Sequence, residues 1–389
     1  MNNDPIMPRP LIWGRAVLGC IAIIPLLIAP NITGIMVDHG GMTPGQAGLI
    51  PGYSALGAVT MALVCALFMH HLPLQKLAAA GLLLAAATNA ASAYSYQQHE
   101  VFYLLRTLNG FGDGAIYAAV MSSYAREQNS ERCYGLFMML QFGLSAIAMY
   151  TLPTSFPELN AEQLYLGICA FNLGAFPLIR LLPQKAALAE GISIRASEWR
   201  LLITVPALAG LGALCFFETS NTASSAYVER IAVMAGLSDG EIGSALGISS
   251  MLAVPGAFMI LWLGSRFGHA RPVLAGIAIG GCALWALLQA NSYYSYLLAI
   301  SALSITWAFT LPYLQSVLAD QDRGGAVVAA GGIASGAGGG MGPAMASTLV
   351  TANDYSGVLL VGFTGYALSA TFIILVLMHA RRHARLAKL

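Results

Sequence analysis

Thr43-Pro-Gly-Gln-Ala-Gly48 opens one long apolar run, and Ser238-Asp-Gly-Glu-Ile-Gly243 opens another 195 residues later. The same offset carries Gly52 onto Gly247, Ser54 onto Ser249 and Lys76 onto Arg271. An offset of 193 carries Tyr103-Leu-Leu onto Tyr296-Leu-Leu and Gln128 onto Gln321. Self-similarity over this distance describes a chain built from two like halves. Two parallel halves of six helices are a known plan for moving solutes across membranes, with the solute site at the midplane between them.

Working outward from the repeat, apolar stretches recur from end to end. A bilayer needs roughly 20 such residues per helix. Spans are expected at 11–36, 46–69, 75–94, 100–124, 133–153 and 163–182, then at 200–227, 241–264, 271–290, 295–318, 324–350 and 356–379. The chain has 389 residues, of which 57% are hydrophobic and 9% charged. Soluble domains carry about a quarter charged residues, so this composition cannot cover an aqueous surface. The expectation is an all-α membrane protein of twelve transmembrane helices in two pseudo-symmetric six-helix halves, residues 1–182 and 200–389. Between them Pro183–Trp199, with Lys185, Glu190, Arg195 and Glu198, reads as a solvated cytoplasmic linker.

The first run begins near Leu11 after Arg9, as a signal peptide would. It lacks a small-residue cleavage site and continues through Pro25, Pro30 and Asn31 to about Met36, so it reads as a retained helix. Six cysteines, Cys20, Cys65, Cys133, Cys169, Cys215 and Cys282, lie in or at the ends of apolar segments without paired spacing. They read as small apolar side chains, neither a disulfide framework nor a zinc site.

Charge sets the orientation. With both termini inside, the inner segments hold Arg9, Lys76, Arg126, Arg132, Arg180, Lys185, Arg195, Arg200, Arg266, Arg271, Arg323, Arg381, Arg382, Arg385 and Lys388, while the outer loops hold Arg230 alone. Acids populate the outer loops: Asp38, Glu100, Glu158, Glu162, Glu229 and Asp354. The expected location is a bacterial inner membrane with both termini cytoplasmic. A net charge of +1 and scattered basic residues give no nucleic-acid footprint.

Two motifs carry a resemblance to the major facilitator superfamily over nearly the whole length. The fourth span reads Arg106-Thr-Leu-Asn-Gly110-Phe-Gly112-Asp-Gly114, similar to that family's R-x3-G-x-G motif. The loop after the eighth span reads Gly264-Ser-Arg266-Phe-Gly268-His-Ala-Arg271-Pro272, similar to its cytoplasmic signature, with Arg266, Gly268 and Arg271 as gating residues. Ser265 stands where the family usually has an acid, and the matching first-half loop, Met69-His-His-Leu-Pro-Leu-Gln-Lys76, has nearly lost the signature. The family's antiporter Gly-Pro pair is missing from Gly135–Pro153, whereas Gly342-Pro343 appears in the eleventh span. The resemblance implies a monomeric secondary transporter for a small molecule.

Ionisable groups inside a span cost about 2.5–3.5 kcal/mol on insertion scales and need partners or a wet cavity. Arg15, Arg106, Asp113 and Glu218 are such groups. Arg15 is expected near the cytoplasmic end, snorkelling. Arg106, Asn109, Gly110, Asp113 and Tyr117 share one helical face, which must look inward. Arg106 and Asp113 stand roughly 10 Å apart along the axis and do not pair directly. In the other half the 193 offset places Ala299 and Thr306 at these positions, so the repeated fold does not itself demand the charges. A solute role and a structural inter-helix ion pair both remain open.

In the seventh span Glu218, Asn221, Thr222 and Ser225 share a polar face. Glu218 and Asp113 are the candidate proton carriers, with a solvated acid near the outer mouth as the alternative for Glu218. Asn31, near a distorted first helix, and Gln141, Trp307, Thr310 and Tyr313 complete the candidate solute site. Gly331–Gly340 lacks the Lys-Ser/Thr and preceding strand of a phosphate loop and suits a helix sliding against its neighbour.

With no nucleotide motif and no cofactor implied, an ion gradient or the solute's own gradient must drive movement. The expectation is proton-coupled uptake of a small organic solute, an organic anion if Arg106 is its partner. Proton-driven efflux of amphipathic or cationic compounds is the runner-up, and a non-transporting receptor or scaffold is the third reading. His39, His70, His71, His99, His269, His379 and His383 lie at helix ends or in loops, so the chain is not read as an enzyme.

Overall fold

A computed structural model describes residues 9–68, 72–124, 127, 130–184, 199–264, 266–321 and 326–386. Lys185, Glu190, Arg195 and Glu198 of the expected linker, with His70, His71, Arg126, Gln128, Ser265, Arg323 and Lys388, lie outside these residues.

The described chain is almost wholly helical. The first segment comprises Arg9–Ala22 (α1), Ile24–Leu27 (α2) and Ala29–Asp38 (α3). Pro44–Phe68 (α4), Leu74–Ser95 (α5), His99–Tyr124 (α6), Ser130–Ser155 (α7) and Ala161–Gly174 (α8), the last prolonged by a 3-10 turn at Phe176–Leu181, follow. After Trp199–Leu202 (α9) come Val205–Ser225 (α10), the short Val228–Met234 (α11), Asp239–Leu263 (α12), Ala270–Leu288 (α13), Tyr293–Ala319 (α14), Ala326–Ser347 (α15) and Ser356–Leu386 (α16).

All twelve expected spans are thus helical. Among the described residues eight segments are long and apolar enough to cross a membrane: α4, α5, α7, α8 with its 3-10 turn, α12, α13, α14 and α16. The other four are the broken first segment, α6 and α10 with their charges, and the glycine-diluted α15. Charges are thus concentrated in a few helices, whose polar faces must turn away from lipid.

Two breaks in the first segment follow from proline. Pro25 and Pro30 each stand in the first turn of a new helix, after Ile23 (φ −113°) and Ile28 (φ −111°). A proline has no N–H to offer the preceding turn. The Ser145 hydroxyl of α7 donates to the Leu27 carbonyl at 3.3 Å. The distortion predicted near Asn31 thus lies just before it.

Helix packing falls into two sets. Within the first, α6 packs on α4, α5 and α1, and α5 on α8; within the second, α10 packs on α15 and α16, and α14 on α12 and α13. The sets meet where α4 touches α15, α7 touches α12, and α3 touches α11. The repeat explains this seam. A Cβ on Gly48 would fall 1.6 Å from the Tyr227 hydroxyl, and one on Gly243 would fall 2.9 Å from the Tyr150 carbonyl and the Thr154 methyl. Gly45, Gly48 and Gly52 of the first half and Gly243 and Gly247 of the second are notches through which the halves touch, whereas Gly240 meets nothing within 4 Å. The start of α1 and the end of α16 lie at one face, called here the near face. The seam contacts run from the opposite, far face (Gly45 against Ser347) to midspan (Val59 against Gly336, Phe142 against Trp307).

Within the first set, a Cβ on Gly110 would lie 1.9 Å from the Ser54 carbonyl, and one on Gly57 1.9 Å from the Thr107 carbonyl. Backbone meets backbone there. Gly110→Ala is expected to lower the unfolding free energy by about 1–3 kcal/mol, the usual cost of overpacking. Gly135→Ala, with nothing within 4 Å of its Cβ, is expected to be neutral or slightly stabilising. Thermal unfolding of the detergent-purified proteins checks the pair; equal midpoints would contradict the close approach.

Candidate functional site

Arg106 is 1% exposed and is held inside the first set of helices. Its Nη1 donates to Asn89 Oδ1 at 2.9 Å and to Asn109 Oδ1 at 3.4 Å. Its Nη2 donates to the Thr88 carbonyl at 3.2 Å and to the Ser92 hydroxyl. The guanidinium carbon sits 4.4 Å from the Tyr165 ring centroid and 5.5 Å from that of Phe102. Residues of α5, α6 and α8 thus converge on one cation, which suits a planar group with five donors and a stacking face. Every acceptor it meets is neutral. The open alternative of a direct Arg106–carboxylate pair is not what the structure forms.

Asp113 lies two turns along the same buried stripe and makes no hydrogen bond or ion pair with another described side chain. Asn109 stands between the two. Tyr117, next on the stripe, is 37% exposed and meets Phe137 edge-on.

Glu218 has a different setting. It is buried, and its Oε2 accepts from Trp307 Nε1 at 3.3 Å while its Oε1 accepts from the Ser335 hydroxyl at 3.2 Å. Three helices, α10, α14 and α15, converge on it. Trp307 in turn packs edge-on against Phe142 of α7, with centroids 6.2 Å apart, in a small apolar cluster with Ala253 and Ala308. Glu218 is therefore one side chain removed from the seam between the helix sets. The sequence-predicted Glu218 and Trp307 are brought together, and half-buried Gln141 adjoins Phe142 in the chain. Ser335 lies inside the small-residue run Gly331–Gly340, whose pattern signals packing and gives a hydroxyl no distinguishing mark.

Other candidates stand apart from this group. Asn221 turns toward α16: its Nδ2 donates to the Phe217 carbonyl at 2.7 Å and its Oδ1 accepts from Tyr366 at 3.1 Å. Thr310 is fully buried against Gly276 of α13. The Tyr313 hydroxyl donates to the Gly264 carbonyl at 2.8 Å, where it closes the end of α12. Asn31 is buried on α3 with its Oδ1 unpartnered among the described residues.

At the near face Arg266 and Arg271 are exposed, and Gly268 takes φ +70°, a conformation that favours glycine. His269 Nδ1 lies 2.6 Å from Asp320 Oδ2, tying this loop to the end of α14. Arg15 departs from the snorkelling expected of it. It is buried, pairs with Glu127 at 2.9 Å and donates to the Leu181 carbonyl at 2.7 Å. The acid that attracts it comes from beyond the end of α6, distant in sequence.

Two cavities of about 520 and 480 Å³ lie elsewhere, one between Thr43–Leu49 and Ser347–Ala352, the other along α1 and α8, and neither contains a candidate residue. At Glu218 the two sets are bridged by Trp307 and Phe142.

Arg106→Ala would leave Asn89, Ser92 and the Thr88 carbonyl without their shared donor. A loss of about 3 kcal/mol is expected, and Arg106→Lys should recover only part of it, since an ammonium cannot reproduce the fork. Glu218→Gln, of the same shape, should shift the thermal midpoint far less. An Arg106→Ala protein that unfolds with the parent would remove the bracing role.

Comparison with known proteins agrees with this architecture. The structure superposes on a point mutant of the nucleoside transporter NupG with a TM-score of 0.72 at 15% identity, covering 94% of this chain and 99% of that one. A second NupG crystal structure gives 0.69 at 15% identity over 94% and 98%. At such identity the likeness is one of fold. No protein of curated function matches the sequence. The sequence profile of the Major Facilitator Superfamily matches residues 16–343, and the chain belongs to that family of membrane transporters.

Proposed function

We propose that the chain is a proton-coupled secondary transporter that imports a small organic solute by alternating access. The observation that carries this reading is the placement of Glu218: a carboxylate buried where α10, α14 and α15 converge, held by Trp307, which itself bears on the opposite half through Phe142. A group that can be charged or neutral at such a seam links proton binding to the fit between halves. Asp113, buried without a side-chain partner, is the second proton carrier.

The solute reading shifts with the geometry. Arg106 was the reason to favour an organic anion, yet its donors are engaged by Asn89, Ser92, Thr88 and Asn109 within one half. The seam offers instead a carboxylate, a hydroxyl and two aromatic rings, a setting for a neutral or cationic solute with hydrogen-bond donors and a flat face. A nucleoside meets that description, and nucleoside transporters share the fold. The near face, where α1 begins and α16 ends, faces the cytoplasm on the positive-inside distribution. The same carboxylate also supports the efflux reading, in which an amphipathic cation leaves against entering protons.

Purified protein in liposomes distinguishes the two. Radiolabelled nucleoside uptake should rise at least about tenfold under an inward proton gradient and fall to the level of empty vesicles when the gradient is collapsed. Glu218→Gln should abolish gradient-driven accumulation while retaining exchange of labelled for unlabelled solute. Stimulation by the opposite gradient would favour efflux. Unaltered flux after neutralising both Glu218 and Asp113 would overturn the coupling assignment.

A further inference from the structure

At the far face a cation sits between two acids. Arg230 of α11 donates from Nη1 and Nη2 to both carboxylate oxygens of Asp38 at the end of α3, each at 2.6 Å. Its Nε and Nη2 also donate to the adjacent Glu229 carboxylate. Among the described residues four ion pairs occur, and Arg230–Asp38 alone joins the two helix sets, since Arg15–Glu127 and His269–Asp320 each stay within one. Glu229 lies in a notch of the opposite half: a Cβ on Gly34 would fall 2.6 Å from its carboxylate.

The exposures distinguish a reversible contact from a fixed brace. Arg230 is 5% exposed and Glu229 11%, but Asp38 is 48% exposed. When a buried pair is split, the charge left behind in low dielectric is what makes the split costly. Here Asp38 returns to water and Arg230 keeps Glu229, so the halves can part without stranding a buried charge. Tyr296 steadies the base of the arrangement by donating to the Val228 carbonyl at 3.0 Å. Burial pushes the Glu229 carboxyl above its ordinary range, against the pull of Arg230 and with Asp38 and Asp239 acting the same way as burial.

We infer that Asp38, Arg230 and Glu229 form the latch of the far-side gate, and that release of Asp38 from Arg230 accompanies opening of that face during transport. The inference rests on the two-half transport reading but concerns residues outside the solute site. Asp38 and Arg230 are positioning residues here, acting through the seam that Gly48, Tyr227, Gly52 and Ala344 close behind them.

The test uses full-length protein in detergent carrying Ala344→Cys, a position packed against Gly52 across the seam. Labelling by a water-soluble maleimide is timed with the six native cysteines replaced by serine, and against the same protein unfolded in SDS. Asp38→Asn and Arg230→Gln should each speed labelling at position 344 by about tenfold, and Arg230→Lys should restore slow labelling. Asp38→Asn changes a half-exposed side chain and so keeps the test informative if Arg230→Gln fails to fold. Unchanged labelling in folded Asp38→Asn overturns the latch. Flux on the same proteins separates the two readings: fast labelling without flux of any solute keeps the latch and removes the transport assignment, whereas normal flux with unaltered labelling removes the latch alone.

Discussion

Helices in lipid gain nothing from hiding leucine, because the tails around them are as apolar as the side chains; association has to come from close packing and from polar groups that find each other. In this chain the close packing is carried by glycine. Gly57 and Gly110 bring α4 and α6 into backbone contact, and Gly338 and Gly342 do the same for α15 on α10, where a Cβ would meet the Cys215 and Thr219 carbonyls at 2.1 and 2.3 Å. The other side of α15 meets α4 through Gly336 and Gly340. A helix that touches one half with one row of glycines and the other half with the next row has no bulky side chain to unhook when the halves move. That geometry fits a seam that must open.

The buried charges divide by what surrounds them. Arg106 is met by six neighbouring residues, all on α5, α6 or α8, and its partners all lie inside one set. Glu218 is met by residues on helices that reach the other set through Trp307 and Phe142. Both are buried polar groups in spans, and composition treats them alike. Only the second is placed where a change of charge can be felt by the moving part. The latch at Arg230 extends the same logic to the far face, where water on one side of Asp38 makes the contact breakable.

Much was legible beforehand. The helix spans were set by apolar length, and the break before Asn31 by Pro25 and Pro30. The repeated Thr43–Gly48 and Ser238–Gly243 motifs marked two like halves, but only the packing shows that Gly48 and Gly243 line the seam. Less legible were partners far apart in sequence. Glu127 claims Arg15, Ser335 joins Glu218, and Asp320 meets His269, because helical periodicity reports which residues share a face but not which face meets which.

By itself the sequence determined that the chain is helical, that it spans a bilayer many times, and that it is two related halves, since these follow from composition, run length and repetition along one dimension. The tertiary structure decided that Arg106 braces one half, that Glu218 sits at the junction, and that Asp38 and Arg230 face each other although 192 residues separate them. Those assignments depend on how helices are arranged around one another. In a membrane that arrangement is settled by the shape of small-residue contacts and the pairing of a few polar groups, and neither leaves a periodic trace in the chain.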